Sequence, residues 1–128
     1  LIPAIGDVVI LFDGTVRPLK DKLNICICPG TGRFLRINSR ELWQPCVSIR
    51  RSDNPFLDHD SFVELRHLLF FPRRVVQDAV TSRRGILGCI SARSATAIVV
   101  AATAAVTLTF EHKQLIKERL ETIVDAAK

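Results

Sequence analysis

Over the first ninety residues, apolar positions come in short runs separated by turn-forming residues. "DVVILF" (7–12) is a continuous apolar run closed by Asp13-Gly14, a strong turn signal. "LNICIC" (23–28) alternates, carries β-branched Ile25 and Ile27 and stops at Pro29-Gly30. "RFLRIN" (33–38) alternates again and sets Phe34 apart from Leu35 and Ile37, and "CVSIR" (46–50) follows Pro45. "SFVELRHLLFF" (61–71) has the length of one bent strand or two and ends at Pro72. Runs spaced in this way predict a small antiparallel barrel or curled sheet rather than βαβ units.

Beyond Pro72 the period changes. "RRVVQDAV" (73–80) suits one or two helical turns with Pro72 at or near the first helical position, "TSRRG" (81–85) reads as a loop, and "ILGCI" (86–90) as a short closing strand. Ala95 to Ala105 favours helix, although Thr96, Val99, Val100, Thr103 and Val106 weaken it through restricted χ1. A further helix begins at the N-cap candidate Thr109, with Glu111 in its first turn and Ile116, Leu120, Ile123, Val124 and Ala127 on one face. One domain over residues 1–128 is expected, with a barrel over 1–90 and a helical part over 91–128.

Residues 94–110 carry no charge, but these 17 residues include Ser94 and four threonines. A membrane span needs about 20 strongly apolar residues, so a buried helix, or one covered by a second subunit, explains the segment better. No membrane association is expected.

The four cysteines, Cys26, Cys28, Cys46 and Cys89, show no C-x-x-C spacing and follow no leader-like segment, which points to reduced thiols and a cytoplasmic setting. In an extended strand Cys26 and Cys28 share a face, and core thiols are favoured over metal ligands. The net charge of +5 is unevenly placed: residues 1–93 carry 14 Lys/Arg against nine Asp/Glu, and residues 94–128 carry four of each. Thirteen of the 18 cations are Arg, the side chain that forks onto phosphate. Such a field favours an anionic partner, either nucleic acid or an acidic protein segment, over ordinary solubility charge only narrowly.

Asp58, His59 and Asp60, with Glu64, invite a proton-transfer or metal reading. Neighbouring residues of an extended chain point apart, so the favoured reading is a turn in which Asp58 or Asp60 bonds backbone amides and Ser61 starts a strand. A metal enzyme centred on this triplet ranks last, and no cofactor is expected. The doublets Arg50-Arg51, Arg73-Arg74 and Arg83-Arg84, with Arg33, Arg36 and Arg40, are candidate phosphate contacts. Trp43 in a loop is the best candidate for stacking on a base, while Phe34 and Phe56 are assigned to the core.

Taken in order, "GDVVILF", "ICIC", a strand ending "INS", "FLDHDSFVEL", "LLFFPRRVV", "GILGCIS" and terminal helices resemble the MazF/PemK family of plasmid-maintenance and growth-inhibitor toxins. The likeness spans about residues 5 to 90, and "LDHDSFVEL" is its most specific piece. The resemblance implies an α+β, mainly β chain: an SH3-like small antiparallel barrel with C-terminal helices, assembled as a homodimer. It also implies a toxin of a toxin-antitoxin system, a metal-independent endoribonuclease that cuts single-stranded RNA by attack of the 2′-hydroxyl on the adjacent phosphate. By the same analogy the catalytic cation falls on Arg17 or Lys22 and the hydroxyl on Ser39. Asp60 and Ser61 would hold the site or position RNA, with Arg36, Trp43, Arg50 and Arg73 as further RNA contacts. An acidic antitoxin-like protein is the implied partner. Because Arg17-Pro18 is separated from "NICIC" by "LKDKL", the alternative is a catalytically inactive SH3-like module that binds an acidic peptide or nucleic acid.

Overall fold

The computed structural model describes residues 2–13, 20–82 and 84–128. Arg17, the Asp13-Gly14 turn and Arg83, the first member of its doublet, lie outside the described residues or at their edge. The elements run β1 (Asp7–Asp13), β2 (Lys20–Cys28), β3 (Arg33–Asn38), β4 (Cys46–Ile49), β5 (Ser61–Glu64), β6 (Leu69–Phe70), α1 (Arg73–Ser82), β7 (Ile86–Cys89), α2 (Ala92–Ala104) and α3 (Phe110–Ala126).

The strands form one antiparallel sheet in the order β4-β5-β3-β2-β1-β7, with β6 paired to β3, curled into a half-barrel. The expected strands are therefore present, and "SFVELRHLLFF" resolves into two short ones. Helix α1 is longer than expected, ten residues that absorb Thr81 and Ser82 from the anticipated loop.

Register explains how the core divides. Val8 pairs with Ile25, Ile25 with Leu35, and Ile37 with Val63, so these side chains share one face of the sheet. That face is buried against Ile98 and Ala102 of α2 and Ile116 and Leu120 of α3. On the opposite face Val9, Leu11, Cys26 and Phe34 pack beneath Val76 and Ala79 of α1. Each such side chain, fully buried, contributes about 1.5–3 kcal/mol. Both faces of β3 are thus covered, which is why Phe34 and Leu35 are adjacent and both inaccessible.

Helix α2 starts at Ser91, whose hydroxyl accepts from the Ser94 amide, and α3 starts at Thr109, which accepts from His112. The uncharged segment splits between the interior (Ala95, Ile98, Ala102, Ala105, Leu108) and the exterior (Val100, Val106, Phe110). Among the described residues, no helix is long and apolar enough to cross a membrane.

Candidate functional site

Helix α1 covers only one end of its face of the sheet. Strand alternation puts Lys22 and Asn24 on the same side as Cys26, and pairing sets Arg36 opposite Asn24. Asn38 lies two residues beyond Arg36, and Glu64 lies two beyond Phe62, the partner of Asn38. This part of the sheet is polar and still buried.

Its groups are joined in a chain. The Lys22 ammonium donates to Asn38 Oδ1 across 3.4 Å, Asn38 Nδ2 donates to Glu64 Oε1 at 3.0 Å, and Arg36 Nη1 lies 3.9 Å from the same oxygen. Burial draws the Arg36 pKa below its usual value; Glu64 opposes that shift, and Arg66 adds to it. Asn24 Nδ2 donates to the Lys22 carbonyl at 3.0 Å and so fixes the backbone that carries the lysine.

Lys22 also reaches an open groove of about 260 Å³ where β2 and β3 meet the loop before β5. The groove brings Lys22 and Ser39 together with Asp58, His59 and Ser61, over a floor that includes Ile37 and Leu57. Asp21 and Asp58 give it carboxylates beside the ammonium.

His59 Nδ1 lies 2.8 Å from the Asp60 carbonyl oxygen. A carbonyl only accepts, so in the neutral ring Nδ1 carries the proton and Nε2 presents its lone pair. The Ser61 hydroxyl donates to the His59 carbonyl at 3.0 Å and sits 3.4 Å from Nδ1. Asp60 turns the other way, its Oδ1 accepting from the Arg51 amide at 2.8 Å.

Asn54 anchors the loop that carries these groups. Fully buried, it donates to the Arg50 carbonyl at 2.9 Å and to Ser94 Oγ at 2.8 Å, and it accepts from the Ser91 amide at 2.9 Å. The loop is therefore tied to the first turn of α2.

Of the residues singled out from sequence, Lys22, Ser39 and Ser61 line the groove. Asp60 braces its loop, and Arg36 stands behind Lys22 in the buried chain. Trp43, 50% exposed, lies under the Arg66 guanidinium, 4.5 Å from the ring centroid, and Arg50 and Arg73 are exposed elsewhere. None of these last three is among the groove's lining residues. His59 was read as a turn residue and is a groove residue as well. Asn24 and Asn38 were not singled out as site residues, and Glu64 was read only as an oxygen ligand beside the Asp58-His59-Asp60 triplet; Asn24 interrupts the apolar run of β2, while Asn38 and Glu64 end β3 and β5.

Cys26 and Cys28 are buried, in keeping with core thiols, and the four cysteines are unbridged. Among the described residues, no group of three or more His, Cys, Asp or Glu is placed to hold a metal ion. No family model, curated protein or solved structure matches the chain.

Proposed function

We propose that this chain is a MazF/PemK-like protein on an SH3-like barrel that binds single-stranded RNA in the groove and cleaves it without a metal ion. One observation carries the reading: Lys22 of β2 and Ser39, just past the end of β3, line the same hollow as an imidazole whose Nε2 is an acceptor.

The chemistry needs a base for the 2′-hydroxyl and positive charge at the phosphorus. His59 Nε2 takes the 2′-hydroxyl proton as the 2′-oxygen bonds to the adjacent phosphorus and the bond from phosphorus to the 5′-oxygen breaks. The leaving 5′-oxygen takes a proton from water, His59 returns its own to solvent, and the products are a 2′,3′-cyclic phosphate and a 5′-hydroxyl. Lys22, braced by Asn38, offsets charge on the phosphorane, and Ser39 and Ser61 hydrogen-bond phosphate or ribose. The cation excess of residues 1–93 holds the RNA backbone. It would likewise attract an acidic antitoxin-like partner. A homodimer in the cytoplasm belongs to the same reading.

The test is incubation with mixed-sequence single-stranded RNA in EDTA, followed by end-group analysis. Cyclic-phosphate ends are expected. Intact RNA at concentrations that give binding would end the nuclease half of the proposal.

One observation favours a second reading, an inactive SH3-like module. Asp21 and Asp58 oppose the ammonium inside the groove. Under that reading the protein binds an acidic peptide or nucleic acid, and His59→Ala changes no RNA product because none forms.

A further inference from the structure

We infer that an RNA strand leaving the groove continues over the α1 side of the sheet, on a track of phenylalanines and arginines. This inference rests on the RNA-binding reading above and names where the rest of the strand lies.

The track starts beside the groove. Leu11 is the cross-strand partner of Lys22, itself a groove residue, and both lie on the α1 side of the sheet. Phe12 is 46% exposed and lines a second hollow of about 490 Å³ with Leu11, Phe71 and Arg74. A third hollow, about 300 Å³, shares Phe71 and adds Phe70 and Arg73 beside the Gly30–Gly32 turn. The Arg33 guanidinium lies over the Phe70 ring, 5.6 Å from its centroid, and Phe70 is 58% exposed. The three hollows thus succeed one another from Lys22 to Arg33. Along β3, from Asn38, which bonds Lys22, to Arg33, that separation is five residues, roughly 17 Å at the rise of a strand.

The chemistry fits a single strand of nucleic acid. Exposed aromatic rings accept bases of any identity, and arginines spaced between them take the intervening phosphates. Among the described residues, the two added hollows are lined by Arg73 and Arg74 and by one carboxylate, Asp78. Phe12 and Phe70 lie outside both core clusters. Phe34 and Phe71, in edge-to-face contact at 5.7 Å, already close that part of the core.

The experiment uses labelled 2′-O-methyl RNA, which lacks the attacking hydroxyl, in lengths of about four and about 12 nucleotides, within the range single-strand sites span. Affinity is read by fluorescence anisotropy against salt. Wild-type protein is expected to bind the longer strand at least about 10-fold more tightly, because added stacking and phosphate contacts each raise affinity. Phe12→Ala with Phe70→Ala should remove that length advantage and leave the short strand unchanged. Arg73→Gln with Arg74→Gln should lower the salt slope for the long strand by about 1.4, at about 0.7 per phosphate contact.

Equal loss for both lengths in either pair of variants, or no loss, overturns the track. Equal binding of both lengths by wild type overturns the track and leaves the groove reading standing. No binding of either length overturns both. Binding of a polyglutamate peptide, lost in these variants while RNA binding is kept, would assign the surface to an acidic protein segment and overturn the inference.

Discussion

Asn38 Nδ2 donates to Glu64 Oε1 at 3.0 Å between residues only 3% and 4% exposed, so a carboxylate sits in the sheet interior held by a side-chain amide. Arg36, 3.9 Å away, supplies the compensating charge at longer range.

Removing the carboxylate strands both partners. Glu64→Ala takes the acceptor from the Asn38 amide and the opposite charge at 3.9 Å from the Arg36 guanidinium, and breaking a buried pair from one side costs about 3–5 kcal/mol. Urea unfolding should show the loss. Replacing Arg36 and Glu64 together by Met and Leu is expected to recover most of it, since the pair is replaced rather than broken. A double variant as unstable as Glu64→Ala alone would contradict this account of the network.

For the groove, His59→Ala is expected to lower the rate of RNA cleavage by about 10²- to 10⁴-fold, the usual worth of a positioned base. RNA affinity and thermal midpoint should stay close to wild type, because the imidazole is exposed and its hydrogen bond is to an adjacent residue. Single-turnover cleavage beside an anisotropy titration separates the two quantities.

Asn54→Ala removes three hydrogen bonds from a fully buried position and leaves the Ser91 amide without its acceptor. A cost of about 2 kcal/mol follows from one such orphaned group. The His59 loop should loosen with it, so cleavage falls more than stability alone accounts for. Limited proteolysis within residues 50–60 checks the loosening.

The alkaline limb of stability should report on Cys26. Burial, with Asp7 and Cys28 nearby, pushes its thiol from 9.0 up to about 12. The unfolded chain therefore loses this proton first, and the contribution is complete below about 9 and lost as pH rises toward about 12. Burial raises Cys46 and Cys89 in the same direction. At Cys28 burial also pushes upward, but hydrogen bonds from Thr31 and the Gly30 backbone together with the Arg119 charge outweigh it, so its contribution has the opposite sign. Cys26→Ala should be less stable at neutral pH and flatter above pH 9. A limb as steep as wild type in pH-resolved urea titrations would place the titration elsewhere.

The elements that could be read from sequence were those whose pattern reflects a single neighbour. "RFLRIN" gave β3 to the residue, and Thr109 marked the start of α3, because a strand edge and an N-cap are local events. The extent of α1 was not local. Its length comes from Val76 and Ala79 seating on Val9, Leu11 and Phe34, which no window around residue 73 contains. The groove was legible in part. Lys22 and Ser39 came from a family resemblance, but their meeting with His59 depends on a loop held by Ser91 and Ser94, about forty residues away in the chain. Asn38 and Glu64 were visible as polar residues at the ends of β3 and β5, and only the register, which sets Asn38 opposite Phe62, puts them diagonally on one face.

The Asn54 clamp also sets how the molecule opens. Residues 50–60 look like surface connection, yet the Asn54 amide bonds to the Arg50 and Arg51 carbonyls within the loop while its side chain reaches Ser91 and Ser94 at the start of α2. In amide hydrogen exchange this segment should behave as part of the C-terminal helical layer, its protected amides exchanging with those of α2 in one cooperative event. The groove therefore has no low-energy opening of its own at that wall, and a strand that enters it meets His59 already in place.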